Sequence, residues 1–481
     1  MKIVENVLVV GDSWHSLLVC CALRKRIANL KITLVLNSKP VQGAISVRRE
    51  TLSLLSTLGL SHESLLRLCD GTYCMAHHIF GAAPEHDFFW ATDDYGVSDE
   101  AVDFNYLFER YSPSCARYDD FSVMAQMAKH RKVAATTAAK FDSAEITDRQ
   151  TSIGMHLNAV AFHQLLLRYA VHLKVTVLSG VTVSIDNAEE YTGTAILDSS
   201  GSAHTPDLLI DACGANSDFS SDNLDSVDDW TDYFDYQSSL SLFVADQFNP
   251  EPVSKLKIES NLLLNMLPLR SGVMYEYLGA KAEINKFLSD LLPLDEKNNV
   301  KSEYYGCLVS PWCGRKVNIG PKASRPGQLL VSQLDLLLRE IDLLIDFWPA
   351  IPFQKNLMRE YNRLAVDLYC SVRDIHLTLY WLIKAGTNIE LRRLPPVLRM
   401  ELETFFASSR LPHRDYRYPV ETEWLSVLMG LKNRPTHFPM LQLERSDELY
   451  PDFFRQISQK IRTVVAQSPD HVTHINTLLR Q

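Results

Sequence analysis

Six consecutive residues near the N-terminus have the spacing of a dinucleotide-binding turn. Residues 11–16, G-D-S-W-H-S, occupy the positions of the G-x-G-x-x-G fingerprint, in which glycines let a pyrophosphate approach the start of a helix. Only the first glycine, Gly11, is present. Ser13 adds a Cβ where the phosphate would approach, and Asp12 places a carboxylate where its charge would lie. Both side chains could instead cap the helix.

The flanking residues predict the βαβ unit that such a turn requires. Residues 7–10 are a short apolar run of β-forming residues, 17–26 form an apolar helical pattern with a basic end, and 32–36 are a second buried strand. The acid that usually follows the second strand and binds a ribose hydroxyl is absent, because Leu36-Asn37 stands there. Two interpretations stay open: a βαβ unit without a nucleotide, which we favour, and a degenerate nucleotide site.

The remaining chain alternates between helical and strand patterns without an internal repeat. Helical patterns occupy 47–70 and 157–173 and dominate from 329 onward, whereas strands are predicted at 175–178, 208–214, about 238–245, 260–278 and 304–310. The acidic stretch 218–233 predicts a surface loop. An α/β start, a β-rich middle and a helical end favour one composite architecture over separate domains in series.

Composition and charge narrow the classes of protein. Hydrophobic residues make up 46% of the 481 residues and charged residues 22%, which excludes a disordered or fibrous chain. Acidic residues outnumber basic ones 58 to 48, and the net charge of −10 gives no reason to expect nucleic acid as a partner. No uncharged apolar run approaches the ~18 residues of a membrane-spanning helix. Nine cysteines without a secretory start predict a cytoplasmic protein with reduced thiols.

Several later segments carry a resemblance to a known family. Residues 312–320 are similar to a W-x-x-N-x-V-A-I-G strand, and 361–363 and 372–374 resemble F-N-R and I-R-D helices. Residues 423–430 are similar to an S-W-L-x-V-x-x-G segment, and 154–158 to an H-x-D helix start. In number, order and spacing, these motifs resemble the flavin-dependent tryptophan halogenase family over nearly the whole chain.

The resemblance implies a fold and a division of the chain. We expect an α/β protein with the FAD-dependent monooxygenase/halogenase-like fold, in which an N-terminal Rossmann-type βαβ unit precedes a β-rich middle and a helical C-terminal part. An FAD-module-like α/β region is expected at 1–345, with inserted segments of a substrate module at about 75–150 and 230–300. The helical region of the substrate module is expected at 346–481.

The catalytic positions that the resemblance implies hold the wrong side chains. The halogenating lysine of the family's T-F-K-L-G segment falls on Cys74, and a neutral thiol cannot replace a compact cation. The glutamate of its L-E-P-L-E-S-T segment falls on Leu330, which offers no general base, and the halide loop ends in residues 331–333. The W-x-W-x-I-P signature falls on 263–268 and is largely lost. We therefore expect no catalytic residue.

The cofactor positions that the resemblance implies are also altered. They fall on Gly11, Ser13, Ser16, Gly43, Gly214 and Gly320. The flavin loop G-x-G-E-A-T falls on 43–46 without its carboxylate. Because Ser13 crowds the pyrophosphate and Asp12 repels it, we expect no bound cofactor, with Leu36, Leu330 and Val331 narrowing the former flavin cleft. FAD is the cofactor expected if the protein is an active enzyme, for which the retained glycines 11, 214 and 320 argue.

Other residues capable of chemistry have simpler interpretations. His77-His78 lack further ligands at metal spacing, so no metal site is expected. His471 and His474 have the spacing of an exposed helix face, and Cys20-Cys21 lie on the apolar first helix as core residues. Lys322 and Arg325 could attract an anion, although solvated loop charges are the simpler interpretation.

Two functional hypotheses follow. The first is a pseudoenzyme, a degenerate tryptophan halogenase homologue that pairs with an active halogenase relative or another protein in a homo- or hetero-oligomer. The second is an active oxidoreductase, an FAD-dependent halogenase or monooxygenase that uses reduced flavin and O₂ on an indole-type substrate with unusual catalytic residues. Neither requires nucleic acid, membrane or metal.

Overall fold

The chain divides into two compact units. In this computed structural model the described residues are 2–37, 42–81, 87–98, 102–134, 153–185, 195–198, 202–214, 226–246, 249–259, 262–288, 300–385, 393–414, 417–431 and 450–480. The first unit comprises Met1–Gly71, Leu157–Asp232 and Tyr304–Val372. The second comprises Thr72–His156, Tyr233–Glu303 and Arg373–Gln481.

The elements of the described residues are numbered in chain order. The strands are β1 (Lys2–Ile3), β2 (Asn6–Gly11), β3 (Lys31–Leu36), β4 (Ala44–Val47), β5 (Thr72–Cys74), β6 (Ala76–Phe80), β7 (Phe88–Trp90), β8 (Gly154–Asn158), β9 (Thr176–Leu178), β10 (Thr182–Ile185), β11 (Ala195–Asp198), β12 (Ser202–His204), β13 (Leu208–Ala212), β14 (Val227–Asp229), β15 (Ser238–Ala245), β16 (Val253–Ile258), β17 (Leu262–Leu269), β18 (Gly272–Gly279), β19 (Lys301–Ser302), β20 (Gly306–Leu308), β21 (Trp312–Cys313), β22 (Lys316–Asn318), β23 (Ser324–Arg325) and β24 (Ala350–Ile351). The helices are α1 (Trp14–Arg26), α2 (Arg49–Thr57), α3 (His62–Leu68), α4 (Phe104–Tyr111), α5 (Val123–Lys129), α6 (Ala159–His172), α7 (Lys281–Leu288), α8 (Gln333–Asp346), α9 (Lys355–Ala385), α10 (Pro396–Ser408), α11 (Glu421–Gly430), α12 (Tyr450–Gln467) and α13 (His471–Arg480).

A mostly parallel sheet organises the first unit. Its strand order is β21-β22-β13-β2-β3-β9, in which β22, β13, β2, β3 and β9 are parallel and β21 is antiparallel to β22. Residues 7–11 of β2 are buried, as expected for a strand covered on both faces. Helix α1 follows β2 and packs against α6 and α8, which is why its residues 16–23 are all buried. The predicted βαβ unit is therefore confirmed.

A mostly antiparallel sheet organises the second unit. Its strand order is β19-β15-β18-β17-β16-β6-β7, and β16 and β6 form its parallel pair. Aromatic side chains form the core where α4, α5 and α12 meet, with ring centroids of Phe104 and Phe454 5.8 Å apart and of Phe121 and Phe454 5.4 Å apart. Such edge and tilted ring contacts contribute about 0.5–1.5 kcal/mol beyond burial.

One expectation stays a prediction and another differs from the structure. The module boundary expected at 345/346 stays a prediction; Tyr304–Val372 belongs to the first unit, where Asn362 binds both the backbone N–H (2.8 Å) and the carbonyl (2.9 Å) of Trp312. The acidic stretch 218–233 is not simply a loop: residues 218–225 lie outside the described residues, but Val227–Asp229 forms β14 and Trp230 is fully buried. Its indole N–H donates to Asp228, so the tryptophan anchors the acidic segment.

Candidate functional site

Three strand ends form the site in the first unit. Strands β2, β13 and β22 are parallel, and in register Gly11 stands opposite Ala212 while Asp211 stands opposite Asn318. The chain beyond each strand therefore emerges at one edge of the sheet, at residues 11–15, 213–214 and 319–320. Carboxyl edges of parallel sheets are where ligands bind in α/β folds.

The turn after β2 requires a glycine at its first position. A Cβ added to Gly11 would lie 2.1 Å from Ser16 Cβ and 2.3 Å from Ser16 Oγ, so the turn has no room for a side chain. Ser16 is fully buried, and its hydroxyl donates to the Ser13 carbonyl at 2.9 Å. The predicted positions Gly11, Ser13 and Ser16 thus form one tight turn, with Ser13 5% exposed.

The carboxylate of Asp12 joins this turn to the neighbouring strand end. Its Oδ2 accepts the backbone N–H of Gly214 at 3.0 Å, and a Cβ on Gly214 would lie 3.1 Å from that oxygen. The prediction that Asp12 and Ser13 cap α1 through their side chains is wrong. Ser13 is the N-cap residue with extended backbone, but its hydroxyl bonds to His15 Nδ1 at 2.7 Å rather than to the helix. The Asp12 carboxylate thus accepts a hydrogen bond from the chain after β13 and not from the N-terminus of α1.

His15 and Arg325 also lie at this edge. The imidazole stacks on Trp14 with ring centroids 3.6 Å apart, and a Cβ on Gly320 would lie 3.8 Å from its Cδ2. Arg325 approaches Gly214, where a Cβ would lie 3.8 Å from Nη2. Burial, and then the charge of Arg325, lower the pKa of His15 to about 3, so the ring is neutral at pH 7.

Two of the three side chains that flank the turn, Trp14 and Asn37, contact other parts of the first unit. Trp14 is buried against Phe162 of α6, with ring centroids 5.9 Å apart, so it packs into the helical layer. Leu36 is 7% exposed at the end of β3. Asn37 accepts the N–H of Gly180 at 3.1 Å, and its amide N–H donates to the carbonyl of Val181. The asparagine side chain is therefore engaged by the chain after β9.

Gly43, the sixth predicted cofactor position, lies in a more open stretch. Its carbonyl accepts the N–H of Ala159 at 3.0 Å, and a Cβ there would meet nothing within 4 Å. The structure therefore does not bring Gly43 against Gly11, Gly214 or Gly320 in the way that Gly214 meets Asp12. The loop leads into β4, after which the buried Arg48 donates its backbone N–H to Asp335 at 3.2 Å.

Leu330 and Val331 are core residues of the first unit. They are 3% and 2% exposed, and they precede a helix that is already capped. Ser332 and Asp335 form a capping box, because each side chain accepts the backbone N–H of the other at 3.1–3.2 Å. Backbone N–H groups at the N-terminus of α8 therefore already have acceptors, which are the side chains of Ser332 and Asp335.

A buried carboxyl lies beneath Gly320. Glu340 of α8 is fully buried; its Oε2 accepts the Gly320 N–H at 3.0 Å, and its Oε1 accepts the Tyr369 hydroxyl at 2.6 Å. Burial raises the pKa of Glu340 to about 7. Gly320 has a φ of +66°, so the left-handed turn that presents this N–H favours glycine.

Cys74 is a buried residue of the second unit. It is 5% exposed at the end of β5, its thiol donates to the Ala76 carbonyl at 3.4 Å, and it hydrogen-bonds to Ser254. Burial raises the pKa of the thiol to about 12. The side chain is a neutral thiol at pH 7, with neither the charge nor the reactivity of a thiolate.

Histidines also cluster in the second unit, where one expectation is wrong. His471 is fully buried rather than on an exposed helix face, because its ring bonds to the Pro250 carbonyl at 2.9 Å. Burial and the charges of His77 and His471 lower the pKa of His156 to about 3. His78 pairs with Asp87 at 2.8 Å and stacks on Phe89. Within the described part of the chain, no group of three or more potential ligands is placed to hold a metal ion.

Comparison with known proteins decides the family. A sequence model of the tryptophan halogenase family matches residues 6–446. The chain belongs to the tryptophan halogenase family. No curated protein matches its sequence.

Solved structures share this halogenase fold along the whole chain. BrvH, a flavin-dependent halogenase from Brevundimonas sp. BAL3, is 18% identical with a TM-score of 0.85, covering 99% of each chain. Xcc4156, a flavin-dependent halogenase from Xanthomonas campestris, is 17% identical with a TM-score of 0.85, again covering 99% of each. The tryptophan 6-halogenase SttH from Streptomyces toxytricini is 18% identical with a TM-score of 0.83, covering 99% of this chain and 100% of SttH. The predicted family and fold class are confirmed.

Sequence reasoning missed one residue at this sheet edge, His15, and favoured a different role for Arg325. His15 stands at the fifth fingerprint position, which the motif leaves unspecified, and only its burial beside Gly320 gives it significance. Arg325 was interpreted as a solvated loop charge, but pairing of β23 with β20 brings it to Gly214. A basic residue in a loop gives no sequence signal of which strand end it will approach.

Proposed function

We propose that this chain is a non-catalytic member of the tryptophan halogenase family that acts as a partner or scaffold subunit for an active relative or another protein. The observation that carries the proposal is the hydrogen bond from Gly214 N–H to Asp12 at the first turn. A backbone donor at the edge where a phosphate could bind is already occupied by a carboxylate of the chain itself. Family membership alone assigns no activity, since function depends on the site.

The residues present do not fit FAD. Its pyrophosphate would meet the carboxylate of Asp12 and the buried Cβ of Ser13, and like charges in a partly buried site repel strongly. Asn37, where a ribose-binding acid would stand, is held by residues 180–181. The solved structures with this fold are described as flavin-dependent halogenases, so the fold itself is compatible with flavin. The misfit with FAD comes from the residues of this chain.

The environments at the two expected catalytic positions support the same proposal. Cys74 is a buried thiol with a pKa near 12, and it can supply neither a cation nor a nucleophile at pH 7. Leu330 is packed into the core and has no titratable group. General acid–base chemistry needs a group that gains or loses a proton near the working pH, and neither side chain does so.

Cofactor binding tests this proposal most directly. The purified full-length protein is incubated with excess FAD, passed through gel filtration and measured for absorbance at the flavin band. We expect no co-eluting flavin, and titration of Asp12→Asn should show tighter binding than wild type because one negative charge is removed. Glu5→Gln, which removes an exposed charge away from the turn, is the matched control. Near-stoichiometric FAD on the wild-type protein would overturn the proposal.

The partner role has its own experiment. An active halogenase from the same organism is mixed with this chain, and the mass of the eluted species is measured by light scattering alongside each protein alone. We expect a stable complex, together with a change in the turnover of the active enzyme. Two unassociated proteins and an unchanged turnover would contradict the partner role.

The second candidate function is an active FAD-dependent halogenase or monooxygenase. It is favoured by one observation: Gly214 and Gly320 remain at the same sheet edge as Gly11, with the cation of Arg325 beside Gly214. A guanidinium could offset part of the charge of Asp12 towards a phosphate. The flavin absorbance experiment separates the two functions, because only the active enzyme requires that FAD co-elutes with the protein.

A further inference from the structure

A hollow in the first unit lies at the opposite edge of the parallel sheet from Asp12 and Gly214. This basic groove has a volume of about 440 Å³ and lies beside the amino ends of β2, β3 and β9. Three cationic side chains and three threonines line it: Arg24, Lys31, Lys174, Thr33, Thr176 and Thr205. Because Asp12, Gly214 and Gly320 lie at the carboxyl ends of the strands, the basic groove is separate from the halogenase-type site.

The described residues do not balance the positive charge of the groove. None of the lining residues is acidic, and Arg24, Lys31 and Lys174 form no ion pair with any described residue. The neighbouring carboxylate of Asp207 is already occupied, since it accepts Lys2 Nζ at 3.0 Å and the backbone N–H of Asn6 at 3.0 Å. Three unpaired cations around one hollow repel one another, and an anion bound between them would remove that repulsion.

The cations reach the groove from three separate segments. Arg24 lies in the last turn of α1, Lys31 begins β3, and Lys174 lies between α6 and β9. Thr33 and Thr176 stand opposite each other in the parallel register of β3 and β9, and their hydroxyls are further donors. Donors that converge from several directions suit a compact anion, whereas an extended acidic chain needs a row of charges.

The end of α6 fixes where the Lys174 side chain leaves the backbone. Lys174 has a φ of +63° in the left-handed cap of this helix, where its N–H donates to the Val171 carbonyl at 3.0 Å and the Val175 N–H donates to the Ala170 carbonyl at 3.0 Å. The lysine therefore starts from a backbone position that two hydrogen bonds hold in place.

We propose that the basic groove binds a small phosphate-bearing molecule, a phosphate ester or a diphosphate, through Arg24, Lys31 and Lys174. Charge-assisted hydrogen bonds from the guanidinium and the two ammonium groups hold the phosphate oxygens, and the threonine hydroxyls complete the shell. The site is independent of the function proposed above, because it uses none of the residues at the first turn.

The test uses inorganic pyrophosphate and the full-length protein. Isothermal titration calorimetry at low ionic strength should show saturable binding at one site, weakening at 0.5 M NaCl because salt screens exposed charges. Lys31→Gln and Lys174→Gly should each weaken binding at least fivefold. Lys174→Gly should also keep or raise the melting temperature, because glycine relieves the backbone strain. Lys25→Gln, which neutralises the exposed residue next to Arg24 outside the groove, is the matched control and should bind like wild type.

Three results would overturn the proposal. The first is an absence of saturable binding by the wild-type protein. The second is equal weakening by Lys25→Gln and Lys31→Gln, which would indicate a general charge effect. The third is tighter binding of hexaglutamate than of pyrophosphate, which would indicate that the basic groove docks an acidic protein segment instead.

Discussion

Two buried histidines of the second unit should make the protein sensitive to acid. Both rings are fully buried, and burial holds the pKa of His156 at about 3 and that of His471 at about 4, against 6.5 for an exposed histidine. The folded protein keeps both rings neutral while the unfolded chain protonates them below pH 6.5. The contribution of these two rings to stability is therefore complete above pH 6.5 and is lost as the pH decreases towards 3–4.

The size of the effect follows from these values. At pH 5, about 1.5 units below the ordinary pKa, a histidine of the unfolded chain is protonated while the folded ring stays neutral. Protonation therefore stabilises the unfolded state by about 2 kcal/mol for each ring. The two histidines together remove about 4 kcal/mol, a large share of the roughly 5–15 kcal/mol that holds a protein folded. Neighbouring charges do not cancel this loss of stability. His77 and His471 lower the pKa of His156 further, and Asp470 only partly offsets the effect of burial on the pKa of His471.

Substitution of His156 isolates one of these contributions. Both of its ring nitrogens lack a hydrogen-bond partner among the described residues, so His156→Leu removes a proton acceptor without breaking a hydrogen bond. We expect the stability difference between pH 8 and pH 5, measured by urea unfolding, to shrink by about 2 kcal/mol. His130→Asn, at an exposed position, should leave the difference unchanged. An acid sensitivity in His156→Leu equal to that of wild type would refute the reasoning.

The remaining predictions concern the first unit and the catalytic positions. Gly11→Ala should cost about 1–3 kcal/mol in urea unfolding because its Cβ would lie 2.1 Å from Ser16 Cβ, and adding Ser16→Gly should recover part of the loss; no recovery would show that this contact is not the cause. Asp12→Ala should lower stability by about 1 kcal/mol because a backbone N–H loses its acceptor, and an unchanged free energy of unfolding would contradict this. Cys74→Lys with reduced flavin and halide should yield no halogenated tryptophan, since the glutamate and halide loop are missing as well; mass-spectrometric detection of the product would disprove it. Glu340 has its pKa raised to about 7 in the folded state, so stability declines as pH rises from 4.5 to 7, and Glu340→Gln should flatten that part of the profile; an unchanged pH profile would argue against it.

Local sequence patterns predicted the first strand and helix of the βαβ unit well, because residue propensity and the spacing of apolar residues largely determine such elements. The apolar run before Gly11 and the apolar helix after it became β2 and α1, and the cysteines 20 and 21 are fully buried there, as expected.

Long-range hydrogen bonds account for what the sequence could not predict. Asp12 and Ser13 have the residue types of a helix cap, but their side chains bond to Gly214 and His15 instead. A carboxylate can accept equally well from a helix or from a neighbouring strand end, and only the sheet order decides which donor is close. His471 has the spacing of an exposed face and is buried because the Pro250 carbonyl comes from another segment.

The strand order of the first unit has a consequence for how the protein is made. Strand β2 pairs with β13, and Asp12 and Gly214, which join their ends, are 202 residues apart in the chain. At roughly 5–20 residues per second, a ribosome needs about 10–40 s to synthesise the intervening segment. During that time one edge of β2 lacks its partner strand β13, and β22, which pairs with β13, arrives later still. Nascent chains of this protein should therefore bind chaperones early in synthesis, and no fragment that ends before residue 318 contains the whole sheet.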